Sequence, residues 1–175
     1  MKATFRPPTS DDHARGSADA AITVVQYGDY DCPHTRAAQA VIHGLMGDAD
    51  YGLRWIYRQF PLRHLHPNAE LLSEIAEAAA LQGKFWEMHD HLMSHRRAIR
   101  SEDLLEDARA AGVDWERLKA DLAKEAVKAR VQADVDGGKA AGVHSTPSFF
   151  FNGVLHDGHY DKATLEEQLR KARGQ

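Results

Sequence analysis

The 175-residue sequence predicts an α/β domain whose mixed central sheet is flanked by helices and interrupted by a helical insertion. Residues 22–60 read as a strand, a helix and a second strand. Residues 67–140 lack strand signals and are rich in Ala, Leu, Glu, Lys and Arg. Strand character and a hairpin signal return after residue 146. We therefore expect one domain over 1–175, with its core in 20–66 and 141–175 and an inserted helical subdomain in 67–140.

The first half of the chain predicts a βαβ unit. Residues 1–20 are polar and contain two prolines, which indicates an irregular arm. The run 22–27 is short, apolar and rich in β-branched residues, so it predicts a buried strand. From Pro33, apolar residues recur at three- and four-residue steps, which predicts a helix ending near Gly47. A second strand over 53–60 is stopped by proline.

The second half predicts helices and then a ββα unit. The helices are expected at 67–82, 84–95, 101–111, 114–125 and 126–140. A strand over 147–151 ends in Asn152-Gly153, a strong hairpin signal. Of the three phenylalanines in this strand, alternation places the middle one on the opposite face of the sheet. Asp161 is expected to cap a last helix that runs to the C-terminus.

Composition narrows the function classes. The formal charge is −4 with an estimated pI of 6.2, and no basic cluster occurs, so neither nucleic acid nor a membrane is expected as a partner. The segment 1–8 lacks the apolar core of an export signal. The single cysteine suits a reducing compartment, because an internal disulfide cannot form. We expect a cytoplasmic protein.

That single cysteine, Cys32, stands in the sequence YDCPHT at the predicted strand-to-helix turn. A helix N-terminus stabilises a thiolate through its free amides and its dipole. His34 would add to this effect if its ring approached the sulfur, and the Thr35 hydroxyl is placed to donate to it. Asp31 is expected to point to solvent. The alternative is that Cys32 is a small buried side chain that takes no part in catalysis.

Several segments together resemble the DsbA-like thiol:disulfide oxidoreductases of the thioredoxin superfamily, which carry a helical insertion. The resemblance covers about residues 11–172, and its specificity rests on the ordered pair of a Cys-Pro segment and a later Thr-Pro segment. The matching segments are 27–34 (YGDYDCPH), 60–62 (FPL), 66–69 (HPNA), 82–90 (QGKFWEMHD) and 142–153 (GVHSTPSFFFNG).

The resemblance implies a thioredoxin fold in which Cys32 is the nucleophile and Pro33 opens the helix that poises it. It also implies that Thr146 and Pro147 are joined by a cis peptide beside Cys32 and dock the substrate. Thr35 stands where dithiol members carry a second cysteine. A mixed disulfide with a protein or glutathione substrate would therefore be resolved by an external thiol. No cofactor is expected, with glutathione as a candidate co-substrate.

Two other functions stay open at this point. The site is similar to that of kappa-class glutathione transferases, which share the inserted-helix plan and would activate glutathione without a mixed disulfide. The missing second cysteine also fits a redox-inactive thioredoxin-fold module that binds a protein partner. A metal site is not expected. His91 and His95 have one-turn spacing, but no second cysteine or HExxH pattern accompanies them, and a polar helix face is the preferred interpretation for His89, His91 and His95.

Overall fold

The computed structural model describes residues 4–48, 51–156 and 158–174. Its strands are β1 (His13–Arg15), β2 (Ile22–Gly28), β3 (Leu53–Gln59), β4 (Ser148–Phe151) and β5 (Val154–His156). Its helices are α1 (Pro33–Gly47), α2 (Ala69–Ala80), α3 (Phe85–Ser94), α4 (Ser101–Ala110), α5 (Trp115–Leu122), α6 (Glu125–Ala140) and α7 (Lys162–Arg173). No helix within these ranges is both long and apolar enough to cross a membrane.

The five strands form one mixed sheet in the order β1-β3-β2-β4-β5. β2 and β3 are parallel, from Ile22 opposite Leu53 to Gly28 opposite Gln59, and α1 connects them. β4 is antiparallel to β2, and β5 is antiparallel to β4. The predicted fold class is confirmed, because the βαβ and ββα units share one sheet and helices α2 to α6 lie between them in the chain.

The prediction of an irregular N-terminal arm over 1–20 was wrong for residues 13–15. Residues 13–15 form β1, an edge strand antiparallel to β3, with Ala14 opposite Ile56. The arm is also held by the buried guanidinium of Arg58, which donates to Asp12 at 2.8 and 2.9 Å. Burial opposes ionisation of Asp12, but the bonds from Arg58 lower the pKa of that carboxyl below its usual value. Residues 1–3 of the predicted arm lie outside the described residues.

The helices between β3 and β4 begin and end within about three residues of the predicted positions, as is usual for sequence-based boundaries. The division between α5 and α6 falls where it was expected, with Lys124 before the first residue of α6. The treatment of 67–140 as a separate subdomain stays a prediction.

The sheet has an apolar core on each face. Phe149 and Phe151 pack with Trp55 and Tyr57 on one side, while Phe150 packs with Val25 on the other. The predicted alternation is therefore confirmed. Each phenylalanine is at most 5% exposed, and burying such a side chain stabilises the fold by roughly 1.5–3 kcal/mol.

The hairpin after β4 also follows the prediction. Phe151 pairs with Val154, which leaves Asn152 and Gly153 as the two loop residues, and their φ values are 48° and 84°. Positive φ at both loop positions is what a type I′ turn requires, and asparagine and glycine tolerate it best. The Asn152 side-chain oxygen accepts the amide of Thr23 at 2.8 Å and so ties the turn to β2.

Candidate functional site

Cys32 lies at the junction between β2 and α1. It occupies the N-cap position of α1, with extended backbone at φ −80° and ψ 119°. Its carbonyl accepts the amide of Arg36 at 3.2 Å, which closes the first helical turn. Pro33, at the first helical position, has no amide hydrogen to leave unpaired. The thiol is therefore carried at the positive end of the α1 dipole, beside first-turn amides that have no acceptor within the helix.

The register of the sheet brings a distant loop to this cysteine. Because Tyr27 of β2 lies opposite Ser148 of β4 in an antiparallel pair, the last residues of β2 and the first residues of β4 lie at the same end of the sheet. The peptide bond between Thr146 and Pro147 is cis, as the resemblance implied. Cys32 Sγ lies 3.5 Å from the Thr146 carbonyl oxygen, although 114 residues separate the two.

The exposure of these residues is uneven. Cys32 is 3% and Thr146 7% exposed, whereas Pro33 and His34 are exposed at the surface beside them. Only a small part of the cysteine is therefore open to a reagent. Thr146 Oγ1 is buried and has no hydrogen-bond partner among the described residues.

The structure gives Thr35 and His34 other partners than the sequence suggested. The Thr35 side chain is buried, and its Oγ1 accepts the Asp29 amide at 3.3 Å, so the hydroxyl supports the loop from below. His34 is exposed, and its Nδ1 lies 2.8 Å from the Tyr160 hydroxyl, in the segment before α7. Among the described residues, neither side chain forms a hydrogen bond with Cys32 Sγ, and their effect on the thiol stays a prediction.

Asp31 was expected to point to solvent, and that expectation was wrong. The residue is 8% exposed, and its Oδ2 accepts the backbone amide of Asn68 at 3.3 Å. Asn68 is the N-cap residue of α2. The Asp31 carboxylate is therefore directed at the positive end of a second helix, α2, which is a favourable position for an anion.

Asp29 is a buried support for the cysteine loop that the sequence analysis missed. Its side chain is fully buried, and Oδ1 accepts the Asp31 amide at 2.8 Å. Oδ2 accepts the Leu62 amide at 3.0 Å and lies 2.8 Å from His66 Nδ1. The Asp29 carbonyl in turn accepts the Cys32 amide at 3.1 Å. An Asp that bonds the amide two residues later is a known turn pattern, so Asp29-x-Asp31 was the available signal.

A buried polar chain lies behind the loop. Tyr30 Oη is 2.9 Å from His89 Nδ1, and the Gln39 side-chain nitrogen of α1 is 3.0 Å from His89 Nε2. His89 is fully buried, so its assignment to a polar helix face was wrong. Burial lowers the pKa of His89 well below its usual value and raises that of Tyr30 well above.

His95, which follows the last residue of α3, has a partner in the next helix. His95 Nε2 lies 2.8 Å from Asp107 Oδ2, which pairs the end of α3 with α4. Across residues 4–48, 51–156 and 158–174, the structure has no group of three or more His, Cys, Asp or Glu side chains suited to a metal ion.

Comparison with known proteins places the chain in a family. A family model described as thioredoxin, Thioredoxin_4, matches residues 8–171. The chain belongs to this thioredoxin family. A solved structure of a thioredoxin-like oxidoreductase from Silicibacter pomeroyi is 29% identical and covers 95% of each chain, with a TM-score of 0.85. BdbD from Bacillus subtilis, at 20% identity and a TM-score of 0.84, covers 99% of this chain and 98% of its own and shows the same fold.

The curated relatives of this thioredoxin-family chain carry a different name. A Na⁺/H⁺ antiporter NhaA 1 from Salinispora arenicola is 40% identical over 161 residues, which are 92% of this chain and 24% of that protein. NhaA 3 from Salinispora tropica matches at 39% over 161 residues with the same coverage. The chain thus spans about a quarter of the length of these relatives.

Proposed function

We propose that this protein is a DsbA-like thiol:disulfide oxidoreductase that works with Cys32 as its single redox-active residue. The observation that carries the proposal is the position of Cys32 Sγ, at the start of α1 and 3.5 Å from the carbonyl of the cis Thr146–Pro147 peptide. Amides at a helix N-terminus favour a thiolate. The backbone beside Thr146 suits pairing with an extended polypeptide.

The reaction has two exchange steps. The Cys32 thiolate attacks one sulfur of a substrate disulfide, forms a mixed disulfide and expels the other substrate sulfur as a thiolate. A second thiol, either glutathione or a thiol of a partner protein, then attacks the substrate sulfur of the mixed disulfide. This step expels the Cys32 thiolate and leaves the substrate joined to the incoming thiol. Thr35 lacks a sulfur, so the protein itself cannot carry out this step.

The thiol reactivity of the folded protein tests the first step. We expect iodoacetamide at pH 7 to alkylate Cys32 faster in the folded protein than in urea, because the free amides and the dipole of α1 act on the sulfur only in the folded state. Intact mass against time gives both rates, and Cys32→Ser provides the blank. A slower rate in the folded protein would mark an inert buried thiol and would end the enzymatic proposal.

A Thr35→Cys variant tests the second step. Its new thiol is expected to attack the mixed disulfide, release the substrate as a thiol and leave a disulfide between positions 32 and 35. The mixed disulfide of the parent should therefore accumulate when no external thiol is present, while that of the variant should not. Equal accumulation in both proteins would contradict the assigned role of position 35.

The near-complete burial of Cys32 favours one alternative, a redox-inactive module that binds a protein partner along the Thr146 edge. That reading requires partner binding to be the same in the parent and in Cys32→Ala, with no exchange activity in the parent. The ion exchange named for the curated relatives belongs to proteins of which the match covers 24%, and we do not assign it to this chain.

A further inference from the structure

A cleft opens beside the cysteine site, between the loop after β3, the end of α6 and the loop before β4. It has a volume of about 260 Å³. Leu62 on its wall is bonded through its amide to Asp29, under the Cys32 loop. His144 on the opposite wall is two residues from Thr146, so their Cα atoms are at most about 7–8 Å apart. The cleft therefore borders both the residues that hold the Cys32 loop and the loop that carries the cis peptide.

The cleft combines an apolar floor with a basic rim. The floor consists of buried side chains, each at most 8% exposed: Phe60, Leu62, Val135 and Val143. The rim consists of exposed nitrogen-bearing side chains: Arg63, His64, Lys139 and His144. Pro61 completes the nine lining residues, none of which is acidic.

Of the two rim side chains that always carry a positive charge, Arg63 has an acidic partner within the described part of the chain and Lys139 does not. Arg63 already forms a salt bridge with Glu70 at 2.7 Å and a hydrogen bond with Gln132 at 3.2 Å. Among the described residues, no acidic side chain is within 4.0 Å of the Lys139 ammonium. The whole chain carries a formal charge of −4 with histidines counted as neutral, so the positive charge of Lys139 beside the cleft is a local feature.

We propose that this cleft is a substrate subsite that binds an apolar side chain flanked by acidic residues on a disulfide-bonded polypeptide. The proposal rests on the function proposed above. An extended polypeptide whose cysteine is joined to Cys32 would continue along residues 144–146 and place its next side chains over the cleft. The floor then takes the apolar side chain, and Lys139 pairs with the acidic one.

Two synthetic peptides test the preference. Each contains one cysteine held in a mixed disulfide with thionitrobenzoate and one leucine beside it, and the two differ in carrying either two glutamates or two lysines. The Cys32 thiolate attacks the peptide sulfur and expels thionitrobenzoate, whose absorbance gives the rate. Intact mass then shows that the peptide, and not thionitrobenzoate, is bound to Cys32.

At low ionic strength the acidic peptide should react about three to five times faster than the basic one, and added salt should reduce the ratio. Lys139→Glu should reverse the order. Lys128→Glu makes the same charge change on the same helix, about 16 Å away along its axis, and should leave the order unchanged. Replacing the peptide leucine by serine should slow both peptides.

The outcomes separate the subsite from the proposed function. If both peptides react at equal rates and Lys139→Glu changes neither, exchange at Cys32 stands and the subsite is wrong. If Lys139→Glu and Lys128→Glu change the rates equally, only overall charge matters and the subsite is again wrong. If no peptide reacts with Cys32 in any of these proteins, the proposed function fails and the subsite fails with it.

Discussion

Helices α1 and α7 begin in opposite ways. At α7 the N-cap residue is Asp161, whose carboxylate accepts the Thr164 amide at 3.1 Å and closes the helix end. At α1 the N-cap residue is Cys32, which makes no side-chain capping bond and is followed by proline, with no acidic residue in the first turn. The α7 end is built for stability. The α1 end has no side-chain cap, and the loop that precedes it is supported from beneath by other residues.

That support is concentrated in Asp29, and its removal should have the largest effect on the α1 end. Asp29→Asn puts an amide NH₂ against the Asp31 amide, or against the Leu62 amide and His66. Buried donors that lose their acceptor cost on the order of 2–3 kcal/mol, so we expect urea unfolding to show a loss of that size. Exchange at Cys32 should fall about tenfold.

The exposed Asp19→Asn variant is the matched control, because it removes the same charge from the surface. It should leave both quantities within error of the parent. Normal stability and exchange in Asp29→Asn would show that the loop does not depend on this carboxylate.

The second prediction concerns the buried hydrogen bonds that join Tyr30, His89 and Gln39 behind α1. His89 is neutral in the fold because its pKa is depressed by burial, while in the unfolded chain it binds a proton below about pH 6.5. The unfolded state therefore holds more protons as the pH falls below that value, and stability decreases. The contribution of His89 approaches about 1.4 kcal/mol per pH unit well below pH 6.5, and it ends when the pH reaches the folded pKa.

His89→Gln should remove this slope. The free energy of unfolding, measured from pH 6.5 to 5.5, is expected to fall about 1 kcal/mol less in the variant than in the parent, because the unfolded-state histidine is already half protonated at pH 6.5. His64→Gln, which alters an exposed histidine, should keep the parental slope. A parental slope in His89→Gln would mean that another group controls the acid response.

The smallest effect is expected at the α7 end. Asp161→Ala removes the capping carboxylate, which should lower the free energy of unfolding by about 1 kcal/mol. Because α7 contributes no capping group to the cysteine loop, the exchange rate per folded molecule should stay at the parental value. A tenfold loss of exchange in this variant would instead link the α7 end to the chemistry, through Tyr160 and its contact with His34.

The same contrast explains what could be predicted from the sequence. Local signals were sufficient for β2, α1, β3, the Asn152-Gly153 hairpin and the Asp161 cap, because each depends on residues within a few positions. The meeting of Cys32 with Thr146 and Pro147 followed from the resemblance, since no local pattern brings together residues 114 positions apart.

The missed features depend on tertiary partners. β1 has three residues and no apolar alternation, and two of its side chains find partners far along the chain, His13 with Glu77 at 2.9 Å and Arg15 with Asp90 at 3.0 Å. Asp31 and His89 read as surface residues because such side chains are mostly exposed. Their burial requires the Asn68 amide and the Tyr30 and Gln39 side chains, which come from other elements.

On the function proposed above, Cys32 forms a mixed disulfide that the protein cannot resolve by itself. Intact mass spectrometry after incubation with oxidised glutathione at pH 7 tests it most directly. We expect one glutathionyl group on Cys32 of the folded parent, none on Cys32→Ser, and its loss on addition of reduced glutathione. A folded parent that takes up no glutathionyl group, while the same chain in urea does, would contradict it.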